Sequence, residues 1–324
     1  MPAKGRIILS ALTGLCICAI FMQGTHIPAA APASVISPGA SAPTSGATAA
    51  ALTAAGTTVA GTTAAGAPAV PKGKVVFFDD FSGSTLDRSK WNAEVTGMHV
   101  NNELQAYVDS NATIYLENNA LVLRPQYAQG FATKDGQHFD FISGRINTRD
   151  KFDFKYGTAE ARIRLTDGAG LWPAWWMLGN GEWPATGELD IMEYVGEQDW
   201  ASAAVHGPGY SGETPFVNRY YFNKKNNNVT QWHIYALDWT PDSLVFKYDG
   251  APMFRVTRSM TDFYGKWAFD TNKFLILNFA VGGIYPAKVN GIQKPCYGLA
   301  SSTLDQIKNS RAKMWVDWVR VTQN

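Results

Sequence analysis

Three acids stand close together in Gly187-Glu188-Leu189-Asp190-Ile191-Met192-Glu193-Tyr194, framed by apolar residues. An ionised carboxylate in apolar surroundings is strongly disfavoured, so acids grouped there point to shifted pKa values and a use for them. On a helix of about 3.6 residues per turn, Glu188, Asp190 and Glu193 would fan around the axis and share no face. On a strand, Glu188 and Asp190 point the same way, because side chains alternate. Glu193 lies an odd number of residues from Glu188, so a regular strand would turn it to the opposite face. One extra residue, a β-bulge, brings it back, and bulges are over-represented beside active sites. Ile191-Met192 is the place for it.

Two carboxyl groups on one surface are the equipment of glycoside hydrolysis. A retaining enzyme holds them about 5–5.5 Å apart, one as nucleophile and one as acid/base. Neighbours along a twisted, bulged strand reach that range. The same short pattern also suits a half-buried strand with solvated acids on its outer face. The rest of the chain has to decide between the two.

Further stretches accompany the acids in a fixed order. Trp172-Pro173-Ala174-Trp175-Trp176 precedes them and His206-Gly207-Pro208-Gly209-Tyr210-Ser211-Gly212 follows. Asp238-Trp239-Thr240-Pro241-Asp242 and Trp315-Val316-Asp317-Trp318-Val319 come later. Together with Glu188–Glu193 they resemble glycoside hydrolase family 16, in its bulged branch of laminarinase-like endo-β-1,3-glucanases. The resemblance runs from about Val75 to the C-terminus. It implies an all-β antiparallel sandwich, a jelly roll of concanavalin A type, with a concave sheet forming the substrate cleft. It also implies that Glu188 is the nucleophile and Glu193 the acid/base. Asp190, projecting between them, would raise the pKa of a neighbouring acid that must stay protonated, and would orient Glu188 by a hydrogen bond.

The same resemblance implies roles around the trio. His206, at the end of the next strand, is expected close to the carboxylates, donating to Asp190 or Glu193. Alternation puts Trp172 and Trp176 on one face and Trp175 on the other. Trp183 and one of the first two are the expected sugar-stacking floors, the remaining tryptophans being core. Asn102, Glu103, Gln105 and Tyr107 resemble a loop bordering the glycone subsites. Arg145 either lines the cleft or covers the sheet edge. A structural calcium would take oxygens at Asp80, Asn119 and Asp317, ligands that suit that ion. No cofactor for catalysis is expected, and no His/Cys cluster has zinc spacing.

Composition excludes other classes. The chain has 324 residues, a formal net charge of +1 and 13% aromatics. That balance gives no reason to expect nucleic acid or acidic lipid as a partner. The expected partner is a polysaccharide, a β-glucan, bound by a monomer. Lys4 and Arg6, an apolar run from Ile7 to about Met22 and small residues at 29–33 read as an export signal over 1–31. A retained membrane anchor is the competing reading, because the run nears spanning length. Export makes the protein secreted, extracellular or periplasmic, with no membrane contact once matured. Cys296 is then alone in the mature chain and has no internal disulfide partner, so the fold must rest on its core. Residues 32–72 are almost entirely Ala, Thr, Gly, Ser and Pro and cannot bury enough apolar surface to offset ordering entropy. They read as a linker, and 73–324 as the catalytic domain.

From Val75 onward the hydrophobic period is two. Strands are expected at Val75–Asp79, Thr113–Leu116, Ala120–Arg124, Ile142–Thr148, Thr158–Leu165, Trp172–Leu178, Ala201–His206 and Trp232–Trp239. Further ones are expected at Leu244–Tyr248, Met253–Val256, Phe274–Val281 and Met314–Val321, the first two of these flanking the turn Asp249-Gly250. No strand–helix alternation is present, which disfavours a parallel α/β fold. Three functions fit the whole: a retaining endo-β-glucanase, a non-catalytic β-glucan-binding protein, and a cell-wall transglycosylase. Binding-only relatives lose one or both glutamates, and this chain keeps both.

Overall fold

A computed structural model describes residues 73–222 and 227–324. The expected signal segment and linker lie outside the described residues. In chain order the strands are β1 (Lys74–Asp79), β2 (Asn92–Ala93), β3 (Gln105–Tyr107), β4 (Ile114–Leu116), β5 (Leu121–Leu123) and β6 (Gln126–Ala132). Then come β7 (His138–Ser143), β8 (Arg145–Asn147), β9 (Gly157–Leu165), β10 (Leu171–Gly179), β11 (Glu188–Glu193) and β12 (Trp200–His206). The last strands are β13 (Phe216–Tyr221), β14 (His233–Trp239), β15 (Ser243–Tyr248), β16 (Ala251–Thr257), β17 (Lys273–Val281) and β18 (Met314–Gln323). Three short helices punctuate the second half: α1 (Arg258–Tyr264), α2 (Ile284–Asn290) and α3 (Ser301–Lys308).

An eight-stranded sheet runs β16-β15-β14-β9-β18-β5-β4, with β1 also on β18. A seven-stranded sheet runs β13-β12-β11-β10-β17-β8-β2, and a small third sheet is β3-β7-β6. All named pairings in the two large sheets are antiparallel. This is the all-β sandwich that the sequence implies. Alternation explains it: along β9 burial alternates strictly from Ala159 to Leu165, so one face enters the core and the other does not. Tyr235, Leu237, Phe246 and Val316 from the larger sheet join Trp175, Met177, Leu189 and Leu277 from the other in one buried cluster. Fully burying each such side chain contributes about 1.5–3 kcal/mol.

One expected strand divides. Ile142–Thr148 splits at Gly144 into the end of β7 and β8, which lie in different sheets. A Cβ at Gly144 would come within 2.7 Å of the Thr113 carbonyl oxygen, so the chain crosses between sheets where no side chain fits. The short strands β2 and β3 and most of β7 went unforeseen, as did β6 and β13. Both are edge strands, exposed along much of their length, and so lack a clean alternation. The helices are seven or eight residues long, too short for a helical period to register.

Candidate active site

The register of β11 shifts on both sides. Against β10, Trp175 pairs with Met192 and Trp176 with Asp190; against β12, Asp190 pairs with Ala204 and Glu193 with Ser202. The extra residue therefore falls at Ile191-Met192, the position that parity demands. Ile191 and Met192 are both fully buried in the core. Glu188, Asp190 and Glu193 consequently share the face turned away from it, opposite His206, Ala204 and Ser202 on β12. The chain enters β11 through Gly187, whose φ of 71° and 2.6 Å approach to the Ala268 carbonyl admit only glycine.

Each glutamate accepts one indole hydrogen bond. Trp183 Nε1 donates to Glu188 Oε2 at 3.0 Å, and Trp172 Nε1 donates to Glu193 Oε1 at 3.0 Å. Among the described residues none of the three acids is paired with Lys or Arg. Burial pushes Glu188 up, the charge of Glu193 adds to it, and Trp183 and Arg145 pull it back, leaving it at about 7. Glu193 is raised by burial, lowered by Trp172 and raised again by Glu103, also to about 7. Burial and both glutamates hold Asp190 well above the usual carboxylate range. The expected hydrogen bond from Asp190 to Glu188 is not formed: Asp190 Oδ2 is buried without a partner.

His206 joins this group, beside Asp190 rather than Glu193. Its Nε2 lies 3.5 Å from Asp190 Oδ2 and 3.8 Å from Glu188 Oε1. The Gly212 amide donates to Nδ1 at 3.2 Å, so Nδ1 carries the lone pair. Burial lowers the ring to about 4, which leaves it neutral with its proton on Nε2, facing the acids. Glu188, Asp190 and His206 offer donor atoms within 4.8 Å of one another. This tautomer turns a proton instead of a lone pair toward that point, so the trio does not fit a metal ion.

The tryptophans divide as alternation requires: Trp175 is fully buried, whereas Trp172 and Trp176 lie half-buried on the acids' face. Trp183 is 49% exposed, with its ring 6.2 Å from that of His206. Trp176 Nε1 donates to Asn278 Oδ1, and Asn278 Nδ2 donates to the Tyr107 hydroxyl. Arg145 lies over the Trp176 ring at 4.9 Å and pairs with Glu94 at 2.9 Å, so it lines the site as well as anchoring its edge. Glu103 is half-buried, and burial raises its pKa. Gln105 is otherwise committed: its Nε2 donates to Glu103, and its Oε1 accepts from the Val281 amide. Both ends of its amide are used, which leaves it a support for Glu103. Asn102 is exposed and Tyr107 is buried against Asn278.

Two contributors went unforeseen. Tyr285, on α2, packs edge-on to Trp172 at 5.6 Å and its hydroxyl lies 3.2 Å from Ser202 Oγ. Asn278 could have been found, as a lone amide in the apolar run Phe274–Val281; nothing local marks Tyr285. Two of the expected calcium ligands, Asp317 and Asp80, have hydrogen-bond donors of their own, and Asn119 lies exposed in the turn between β4 and β5. Asp317 accepts from Arg162 at 2.6 Å, so a guanidinium already holds the place of the cation. Asp80 accepts from the Ser82 amide.

Residues 88–320 match the family described as Glycosyl hydrolases family 16. The chain is 32% identical over 282 residues to Glucan endo-1,3-beta-glucosidase A1 of Niallia circulans, covering 78% of this chain and 38% of that protein. It is 33% identical over 241 residues to the Beta-glucanase of Rhodothermus marinus, covering 66% of this chain and 78% of that one. Among solved structures, the laminarinase catalytic domain from Thermotoga maritima superposes with a TM-score of 0.67 at 30% identity, covering 78% of this chain and 99% of that one.

Proposed function

This chain belongs to glycosyl hydrolases family 16, and on that premise we propose that it is a secreted, retaining endo-glycosidase of β-1,3-glucan or mixed-linkage β-glucan. One observation carries the reading: the bulge brings Glu188 and Glu193 to one face, each with an indole donor and neither with a cation.

The residues then divide the work. Glu193, whose burial raises its proton affinity, delivers its proton to the departing glycosidic oxygen. Glu188 attacks the anomeric carbon and forms the glycosyl-enzyme. Water, deprotonated by Glu193, completes hydrolysis with net retention. The Trp183 N–H favours the ionised form of Glu188 and aims it. Asp190 and the neutral His206, 3.5 Å apart, flank Glu188 and face it with a carboxyl group and an N–H. Trp172, Trp176 and Trp183 supply rings for the sugar faces. Residues 1–31 would direct export and 32–72 would space the domain from whatever precedes it.

The test is to incubate the protein with laminarin and lichenan and follow the products by proton NMR. Early products must be β-anomers of several sizes. Glu188→Gln must still bind laminarin while releasing no reducing ends. α-Anomers at early times, or turnover by the variant, would sink the assignment. Sequencing the N-terminus of protein recovered from culture medium checks the export signal.

A further inference from the structure

A bulge interrupts the ladder that would otherwise satisfy the strand's backbone, so carbonyls beside it need partners from elsewhere. For β11 the partner comes from the opposite sheet. Tyr248, at the end of β15, is fully buried. Its hydroxyl lies 3.1 Å from the Ile191 carbonyl oxygen and 2.8 Å from that of Ser202. Ile191 sits in the bulge, and Ser202 is the register partner of Glu193. One hydroxyl proton is thus shared by two carbonyls that belong to adjacent strands at the point where they fall out of step.

We propose that Tyr248 is a positioning residue for the hydrolysis: its hydroxyl ties the Ile191 and Ser202 carbonyls across the bulge and so fixes the direction in which Glu193 leaves the strand. This rests on the proposed function, because it concerns the aim of the acid/base. Without the hydroxyl, two carbonyls in the core lose a donor, and the two strands lose a link that resists slipping at the bulge. Slippage matters here more than elsewhere, since a one-residue change of register moves a side chain to the other face.

An internal control stands beside it. Tyr235 is also fully buried, its ring 4.7 Å from that of Tyr248, yet its hydroxyl has no hydrogen-bond partner among the described residues. The two tyrosines share a core environment and differ in what the hydroxyl touches. Removing the Tyr235 hydroxyl therefore costs nothing at β11.

The experiment compares Tyr248→Phe and Tyr235→Phe for kcat and KM on laminarin, well below the melting temperature of each. Tyr248→Phe is expected to lose roughly tenfold in kcat, short of the ~10²-fold that a 1 Å misplacement can cost, with KM nearly unchanged. Tyr235→Phe is expected to match the wild type in both. A loss of stability alone would move the melting temperature of either variant without this split. Tyr248→Met, which also lacks the hydroxyl, repeats the comparison. Wild-type kcat in either Tyr248 variant, or an equal loss in Tyr235→Phe, overturns the proposal. So does failure of both Tyr248 variants to fold, which would make the hydroxyl a requirement of the fold and not of the site. A wild-type protein that cuts no β-glucan is a different outcome and sinks the proposed function itself.

Discussion

Half-buried acids lie on the outward faces of both large sheets, and the two faces treat them in opposite ways. On the eight-stranded sheet Asp317 pairs with Arg162 at 2.6 Å, Glu160 with Arg320 at 2.7 Å and Glu117 with Lys313 at 3.1 Å. Lys247 pairs with Asp238 on the same sheet. On the seven-stranded sheet Glu188, Asp190 and Glu193 meet indole N–H groups and a neutral imidazole instead. The consequence is visible in proton affinity. The Lys313 ammonium holds Glu117 below the ordinary carboxylate range, whereas burial without a counter-ion lifts Glu188 to about 7. Supplying a cation keeps an acid ionised and inert; withholding it makes the acid able to carry a proton, at a cost in stability.

The comparison breaks most visibly at Glu193. Glu193→Gln is expected to lower kcat on laminarin by about 10²–10⁴-fold, the usual worth of a general acid/base. A comparable loss from neutralising any acid on the other sheet would erase the distinction; steady-state kinetics on both sets of variants decides it.

Stability should respond in the reverse sense. The folded-state pKa of Glu188 is raised, so between the ordinary value near 4.5 and about 7 the folded protein binds more protons than the unfolded chain. Stability from this group is therefore present at low pH and lost as pH rises through that window. Glu188→Gln removes the loss. It is expected to exceed the wild type by about 2 kcal/mol at pH 8, a value discounted from the full shift, and to match it near pH 4. Urea unfolding at the two pH values measures this, and a less stable variant at pH 8 would contradict it.

On the other face the expected signs differ. Arg162→Met leaves Asp317 half-buried without its cation and should cost about 1 kcal/mol, with kcat unchanged. The same denaturation and rate assays apply. The smallest effect is expected at Trp183→Phe, which keeps a ring but drops the N–H to Glu188. A net hydrogen bond of about 1 kcal/mol predicts a several-fold fall in kcat, with the pH-rate profile showing Glu188 titrating higher. An unchanged acid limb would mean the indole does not tune Glu188.

Much of this was legible beforehand, for identifiable reasons. Strands such as β9, β10 and β15 announce themselves because one face of each is buried and the other is not. The bulge followed from parity alone, since acids at an odd separation cannot otherwise share a face. The Ile142–Thr148 strand was misjudged because its division depends on how closely Gly144 passes Thr113, a contact between distant strands. Gln105 has the chemistry of a sugar ligand, and only the Val281 amide takes that role from it. Asp317 has the chemistry of a calcium ligand, and its pairing with Arg162 is set by a strand far away in the chain.

The sequence by itself determined the all-β class, the strand that carries the three acids and the residue count that turns them to one side, because these follow from local spacing along a pleated chain. The tertiary structure alone decided how strongly those acids hold protons, which indole meets which glutamate and that Tyr248 grips the bulge. Those properties arise from burial and from groups far apart in the chain, and no local pattern encodes the distance at which they finally meet.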